Sequence, residues 1–199
     1  VIVSAIASAY AIEGIKVEKE RLLNLSLAYE SHPDNITPAV MGGFNVASVH
    51  ENEVKFINKS IPRSLKAVVV VPNRPISTTL SRKTLPYKYS KEDTIFNISH
   101  SSLLTAAFMS ENWEMLKYAS ADMVHQQFRM KHMPELFEVQ KTALKNGALM
   151  STLSGSGSTF FSIAYSEDSQ KLELALKEKF PHFRVMSVDF DNNGVKIEI

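Results

Sequence analysis

A run of β-branched residues at Lys66 to Val71 (KAVVVV) limits the folds open to this chain more than any other feature. Because four consecutive valines show no polar alternation, both faces of this segment are expected to be buried as a strand within a sheet. Pro72 ends the run, since proline cannot donate a hydrogen bond to a neighbouring strand. Helical patterns lie on both sides of the run. The sequence therefore predicts an α+β fold with interleaved elements.

The remaining periodic segments give the order of elements. Helices are predicted at Val1 to Ile12, Val17 to Glu30, Asp93 to Met109, Ser110 to Met123, Glu135 to Asn146 and Ser169 to Phe180. Strands are predicted at Phe44 to Val49, Val54 to Ile57, Leu149 to Leu153, Thr159 to Ala164, Phe183 to Phe190 and Val195 to Ile199. The first helix is apolar nearly all round and is expected to be fully buried. The segment 31–44 (SHPDNITPAVMGGF) is expected to be a loop, because it contains two prolines and two glycines.

Composition and charge exclude several classes of protein. The 199 residues are 44% hydrophobic and 22% charged, which is typical of a folded globular chain rather than a disordered one. The net charge of +1 gives no overall attraction to nucleic acid or to an anionic membrane, and no partner of either kind is expected. The sequence contains no cysteine, so thiolate chemistry is excluded. A reducing, cytoplasmic location is expected.

Three polar clusters beside glycine or proline are candidate sites. The first runs from Glu30 to Asn35 and could bind a small polar ligand or a metal, although Asp34 and Asn35 could equally cap a turn. The second is 153–159 (LSGSGST), whose glycines could expose amides to an anion or simply form a tight turn between strands. The third is the pair Arg82 and Arg129, either of which could grip a carboxylate bidentately or lie solvated on the surface.

Four segments together resemble, in order, the homoserine kinase family of the small-molecule kinase superfamily that includes galactokinase and mevalonate kinase. They are HPDNITPAVMGGF, STTLSRKTLP, HQQFRMKHMP and LSGSGSTFF, and the resemblance covers essentially all of the chain. It implies a two-domain kinase fold, with part of a ribosomal-protein-like N-terminal domain at 1–60 and a ferredoxin-like α/β sandwich at 61–199. It also implies that the chain corresponds to the C-terminal two-thirds of a kinase, without the N-terminal phosphate loop, and so binds ATP weakly on its own.

The resemblance assigns roles to individual residues. The positions implied for the substrate pocket are His32, Asn35, Thr78, Arg82 and Arg129. The positions implied to support the phosphate loop are Ser154, Gly155, Ser156 and Gly157, although this chain has Ser158 where the motif usually has proline. Glu30 is the implied Mg²⁺ ligand. Asn35 stands where related kinases have a catalytic aspartate, so it is expected to position the substrate, and Asp34 is a weaker candidate for catalysis.

The function implied is ATP-dependent phosphorylation of the side-chain hydroxyl of L-homoserine, giving O-phospho-L-homoserine in threonine biosynthesis. ATP and Mg²⁺ are the implied cofactors, and a homodimer is possible. Two alternatives stay open from the residues: another small-alcohol kinase of the same superfamily, and a non-catalytic binding module derived from it. Homoserine is preferred over other small alcohols because mevalonate-type substrates carry no amine and because the His-Pro-Asp-Asn loop matches best. Joint retention of His32, Asn35, Arg82 and Arg129 favours an enzyme over a binding module.

Overall fold

A computed structural model gives the structure of the protein and describes residues 1–74, 81 and 83–197. Thr78 and Arg82, both assigned to the substrate pocket from the sequence, therefore lie outside the described residues. The chain divides into two compact units: one contains residues 1–62 and the chain from Phe190 onward, and the other contains residues 63–189. Among the described residues, no helix is both long enough and apolar enough to cross a membrane.

The first unit consists of three helices and a hairpin. Its elements are α1 (Ile2–Ile12), α2 (Lys19–Leu27), α3 (Pro33–Met41), β1 (Phe44–His50) and β2 (Glu53–Lys59). The strands β1 and β2 pair antiparallel over their full length, which confirms the predicted hairpin. Leu22, Leu23 and Val40 are completely buried in the unit's core, so α2 and α3 supply its centre.

The predicted loop at 31–44 is wrong, because α3 occupies most of it. Pro33 is at the first helical position, where its missing N–H costs nothing and its fixed φ suits the helix. Pro38 lies inside the helix, yet the helix persists because Ile36, Thr37 and Val40 bury one face in the core. Tertiary packing of this face therefore outweighs the helix-breaking signal of the prolines.

The prediction that α1 is fully buried is also wrong. Only Val3 and Ala7 are buried, and Ile12 is 83% exposed. Ser4 and Ser8 are exposed together with the alanines that follow them, so one face of the helix consists of small side chains. Exposure of small side chains costs little, and a helix with such a face needs to cover only its other side.

The last residues of the chain return to the first unit, whereas the sequence placed all of 61–199 in one domain. The side chain of Asn192 accepts a hydrogen bond from the Ile61 amide at 2.8 Å and donates one to the Ile61 carbonyl at 2.9 Å. The Gly43 amide donates to the carbonyl of Asp191 at 2.8 Å. Residues 195–197 are irregular, so the strand predicted at Val195 to Ile199 is wrong for its described part.

The second unit is built on a four-stranded antiparallel sheet in the order β4-β5-β3-β6. Its strands are β3 (Leu65–Val71), β4 (Met150–Leu153), β5 (Phe160–Tyr165) and β6 (Arg184–Val188). The valine-rich β3 pairs with β5 on one side and with β6 on the other, so it is a central strand. The expected burial of both faces is met in part, because Val68 and Val70 are buried whereas Val69 and Val71 on the opposite face are partly buried. This order and the βαββαβ connectivity confirm the ferredoxin-like sandwich.

The second unit also contains helices, and the last two of them along the chain pack most closely against the sheet. The helices are α4 (Lys91–Ser110), α5 (Leu116–Ala119), α6 (Gln126–Met130), α7 (Glu135–Lys145) and α8 (Ser166–Lys179), with a 3₁₀ turn at Trp113–Met115. Leucines of α7 and α8 pack with Val68 and Val70 in one buried core. The helix predicted at Ser110 to Met123 is wrong. The predicted segment is interrupted twice: α4 ends at Glu111, which has a left-handed backbone, and residues 120–125 between α5 and α6 are not helical.

We expect Gly194→Ala to destabilise the first unit by about 2–4 kcal/mol, because the alanine would need a left-handed backbone and its Cβ would overlap neighbouring backbone atoms. Gly194 has φ +63°, and a Cβ there would lie 2.6 Å from the Gly42 amide nitrogen. Hydrogen exchange of the α2 core amides would measure the loss. Gly14→Ala is the matched control: its φ is +66°, but a Cβ there meets no described atom within 4 Å, so about 1 kcal/mol is expected. Equal losses in both variants would contradict the close approach at Gly194.

Candidate active site

The first group of predicted site residues surrounds the start of α3. The His32 amide donates to Oε1 of Glu30 at 3.3 Å, so the carboxylate is tied to the turn that leads into the helix. Asp34 lies in the first turn, where a negative charge is favoured by the helix dipole. His32, Asp34 and Asn35 are exposed, whereas Glu30 is partly buried. These residues therefore form a short polar rim with three side chains accessible to a ligand.

Glu30 and Asn35 line a cavity of about 440 Å³ in the first unit. Ser4 of α1 and Asp191 of the returning segment line the same cavity. It therefore brings two acidic residues, an amide and a hydroxyl around one space, a set suited to a hydrated cation or to the hydroxyl of a polar ligand. His32 and Asp34 lie beside the cavity in sequence but are not among its described lining residues.

The second group lies at the turn between β4 and β5. The Ser154 amide donates to the Thr159 carbonyl at 2.9 Å, and the Gly157 amide donates to the Ser154 carbonyl at 3.1 Å. Gly155 has φ +58°, a left-handed backbone that glycine adopts without strain. A Cβ at Gly155 would meet no described atom within 4 Å, so space remains beside this backbone. The segment is a tight turn that leaves one of its glycines open to approach.

Side chains from elsewhere in the second unit hold this turn in place. The hydroxyl of Ser81 donates to the Ser156 carbonyl at 2.8 Å. Ser158, which occupies the usual proline position of the motif, donates its hydroxyl to the Arg74 carbonyl at 2.8 Å. A serine side chain thus supplies a fixed contact at a position where proline would supply a fixed φ.

Arg129 connects two of the predicted clusters, the arginine pair and the glycine turn, which are far apart in the sequence. Its Nη1 donates to the Gly155 carbonyl at 2.9 Å, which brings one residue of the predicted carboxylate clamp against the glycine turn. Arg129 and Gly155 also line a cavity of about 350 Å³ in the second unit. The Arg129 guanidinium therefore lies against the glycine turn and at the lining of this cavity.

Sequence reasoning missed three residues that line this cavity: Asn97, Asp122 and His125. Asp122 accepts hydrogen bonds from Asn97 Nδ2 at 2.9 Å and from the His125 amide at 2.8 Å. The available signal was an aspartate a few residues before the short HQQFRM segment, which is a helix-capping pattern. This pattern was not recognised because a continuous helix was predicted through Met123, which placed Asp122 inside a helix.

The electrostatics of this cavity follow from burial and hydrogen bonding. Burial alone would raise the pKa of Asp122, but hydrogen bonds from Gln126, Asn97, Val124 and His125 outweigh it and lower the pKa below 3.8. Burial, assisted by the nearby charge of Arg129, lowers the pKa of His125 below 6.5 against the opposing effect of Asp122. At neutral pH, Asp122 is therefore anionic and His125 neutral, and Arg129 carries the positive charge.

The sites predicted from the sequence thus fall into two sets. Glu30 and Asn35 meet at one cavity of the first unit, and Arg129 meets the glycine turn at one cavity of the second unit. Thr78 and Arg82 lie outside the described residues, and their predicted roles stay predictions. The roles assigned to the other residues rest on the resemblance and on this geometry.

Comparisons with known proteins all indicate the same family. The protein family described as "GHMP kinases C terminal" matches residues 101–182. The homoserine kinase of Aliarcobacter butzleri is 83% identical over 199 residues, which is all of this chain and 68% of that protein. The homoserine kinase of Nitratiruptor sp. is 61% identical over 198 residues, and the chain again covers 68% of it.

Solved structures support the same fold. The crystal structure of homoserine kinase from Cytophaga hutchinsonii has a TM-score of 0.85 at 23% identity, covering 94% of this chain and 62% of that one. The L. major mevalonate kinase has a TM-score of 0.61 at 18% identity, covering 88% of this chain and 60% of that one. With whole-chain identities of 83% and 61% to curated relatives, the chain belongs to the homoserine kinase family of the GHMP kinases.

Proposed function

We propose that this chain contributes the homoserine-binding part of an enzyme that transfers the γ-phosphoryl group of ATP to the side-chain hydroxyl of L-homoserine. The product is O-phospho-L-homoserine, an intermediate on the route to threonine. The observation that carries the proposal is Arg129 held against the Gly155 carbonyl at the edge of a cavity, in a chain of this family. The identity to curated homoserine kinases leaves the two alternatives, another alcohol kinase and a non-catalytic module, without support.

Substrate recognition is assigned to charge rather than to apolar contact. Homoserine is a small zwitterion with little apolar surface, so its affinity must come from a few placed polar groups. Arg129, together with Arg82, is proposed to bind the carboxylate. The exposed His32 and Asn35 at the start of α3 are proposed to contact the ammonium and hydroxyl ends of the substrate. Because burial lowers the pKa of His125, its imidazole is uncharged at neutral pH, and Arg129 carries the positive charge at this cavity.

The glycine turn is proposed to support the nucleotide phosphates. Family membership implies ATP as the phosphoryl donor. Ser154, Gly155, Ser156 and Gly157 form a turn whose ends are fixed by internal hydrogen bonds, so it can present a constant surface to the neighbouring ligand. In phosphoryl transfer, a protein mainly positions the reactants and neutralises charge, and a rigid turn of this kind serves positioning.

Mg²⁺ is proposed to be held by Glu30. The side chain is partly buried and lines the same cavity as Asn35 and Asp191, and oxygen ligands are the ones that Mg²⁺ prefers. One protein carboxylate is sufficient, because this ion keeps several waters and otherwise binds the phosphates of the nucleotide. When bound, the ion neutralises negative charge on the phosphoryl group. A homodimer and a cytoplasmic location stay predictions.

Proton removal from the homoserine hydroxyl is proposed to need no strong base. Asn35, which cannot accept a proton at neutral pH, lies in the first turn of α3 at the edge of the cavity, and Asp34 lies outside the cavity lining. A loose transition state carries little charge on the attacking oxygen, so the hydroxyl can lose its proton late. Asn35 then orients the hydroxyl.

Arg129→Leu is expected to raise the KM for homoserine with little change in the KM for ATP. Loss of a charge-assisted pair should cost about 1.5–3 kcal/mol, which is about a 10- to 150-fold loss in kcat/KM. Steady-state kinetics of the protein expressed from its complete reading frame would measure it, with Arg82→Leu expected to behave alike. Arg184→Leu, which removes an exposed arginine at the start of β6, is the matched control. An unchanged KM for homoserine in Arg129→Leu would remove this residue from the substrate site.

Glu30→Gln is expected to raise the Mg²⁺ concentration for half-maximal activity by about tenfold, since a neutral amide replaces an anionic ligand. Saturating Mg²⁺ should restore most of the activity. Glu13→Gln, at an exposed position after α1, provides the control and should leave the Mg²⁺ dependence unchanged. A variant at Glu30 with the wild-type Mg²⁺ dependence would exclude it as the ligand.

Asp34→Asn is expected to keep the turnover number within about tenfold of the wild type, because a general base would contribute about 10²–10⁴-fold. Asp93→Asn, which also removes an aspartate from the first turn of a helix, controls for the loss of charge at a helix start. Single-turnover kinetics with circular dichroism would separate chemistry from folding. A thousandfold fall in a folded Asp34→Asn protein would instead identify Asp34 as the base.

A further inference from the structure

The helix that carries Arg129 is too short to be stable on its own. α6 spans five residues, Gln126–Met130, and an isolated helix of this length does not repay the cost of nucleation. Its N-cap residue, His125, makes no side-chain capping hydrogen bond. The orientation of Arg129 must therefore be fixed by groups outside the helix.

Asp122 supplies the missing cap from three residues before His125. Oδ2 accepts hydrogen bonds from the backbone amides of His125, at 2.8 Å, and of Gln126. Oδ1 accepts one from the Val124 amide at 3.0 Å. The carboxylate thus satisfies three consecutive amides at the start of α6, and charge-assisted bonds of this kind are about twice as strong as neutral ones.

Asn97 anchors this cap to the long helix α4. Its Nδ2 donates to Oδ1 of Asp122 at 2.9 Å, and its Oδ1 accepts from the Met123 amide at 2.7 Å. The hydroxyl of Tyr89 donates to the Val124 carbonyl at 3.0 Å, which adds a second attachment near the start of α4. The segment before α6 is therefore held against a twenty-residue helix and not merely against itself.

The other side of α6 is attached to the glycine turn. Oε1 of Gln126 accepts from the Leu153 amide at 3.2 Å, immediately before the turn. Arg129 donates to the Gly155 carbonyl at 2.9 Å, and the next residue, Met130, is 1% exposed in the core. Two side chains one helical turn apart therefore fix the distance between the helix and the turn.

We propose that Asp122, supported by Asn97, is a positioning residue for homoserine binding that acts through Arg129. This inference rests on the proposed function, because it assumes that Arg129 binds the substrate carboxylate. Asp122 caps α6, and the capped helix holds the guanidinium beside the glycine turn. Without the carboxylate, three amides lose their acceptor, α6 frays and Arg129 samples other positions. The consequence is a loss of homoserine affinity that leaves ATP binding intact.

Asp122→Ala in the protein expressed from its complete reading frame is expected to raise the KM for homoserine about tenfold or more, with the KM for ATP and kcat within about threefold. Asp122→Asn keeps one acceptor oxygen and should raise the KM for homoserine less. Asn97→Ala should act in the same direction as Asp122→Ala. Asp168→Ala, which removes an aspartate from the first turn of α8, is the matched control and should leave all three constants unchanged.

A double-mutant cycle with Arg129→Leu gives the decisive readout. If Asp122 acts through Arg129, adding Asp122→Ala to Arg129→Leu should raise the KM for homoserine by less than about threefold further. Independent, multiplicative effects, or a parallel loss of ATP affinity and kcat, would show a merely structural role. If Asp122→Ala does not fold, the same cycle with Asp122→Asn decides between these outcomes.

The single variants separate this inference from the proposed function. A raised KM for homoserine in Arg129→Leu but not in folded Asp122→Ala and Asn97→Ala would overturn the positioning role alone. An unchanged KM in Arg129→Leu would overturn the clamp itself, and the positioning role with it.

Discussion

The double pairing of β3 is the constraint on which the second unit depends. Hydrogen bonds to β5 and to β6 make β3 a central strand, and Val68 and Val70 on one of its faces are completely buried. Met130, the last residue of α6, packs into the same core as these valines. Arg129 precedes Met130, so the burial of an apolar side chain places the neighbouring guanidinium at the rim of the sheet. The site of the second unit is thus a consequence of its core.

Position and orientation are controlled by different forces at this site. Apolar burial is non-directional and fixes where α6 lies, but it does not determine which way Arg129 points. Hydrogen bonds are directional, and Asp122, Gln126 and the Gly155 carbonyl supply them at both ends of the helix. The low pKa of Asp122 reflects the same arrangement, since amides that stabilise the anion also hold the helix. A short helix can therefore hold the proposed binding residue as accurately as a longer one.

The sequence predicts the sheet well because its strands have strong local signals. β3 is marked by β-branched residues, and the β4–β5 hairpin is marked by glycines between two apolar runs. The failures occur where distant contacts override local preference. α3 forms despite Pro38 because its face is buried, and residues 190–197 join the first unit through Asn192 and Gly194, which have no periodic pattern.

Motifs in the sequence name the candidate site residues, but they do not name the residues that hold those side chains in place. Arg129 and the glycine turn are separated by 26 residues, and no spacing rule predicts the hydrogen bond between them. Asp122 was hidden because its role depends on the end of a helix that the apolar pattern appeared to continue. The capping pattern before HQQFRM was present in the sequence, but it could be recognised only once the preceding helix was known to end before it.

Contact with the turn also changes what Arg129 can contribute to binding. A free arginine loses rotamer entropy when it grips a ligand, about 2 kcal/mol for a fully immobilised side chain. Arg129 has already given up part of this freedom to the Gly155 carbonyl, so less would be lost in its proposed role of binding a carboxylate. Lysine could not replace it equally, because one ammonium on a flexible stem does not present a planar pair of donors while it contacts the turn. A zwitterion with few atoms gains affinity chiefly from such preorganised charge. In the proposed substrate site, the hydrogen bond to the turn is therefore part of the binding arrangement, although it need not touch the ligand.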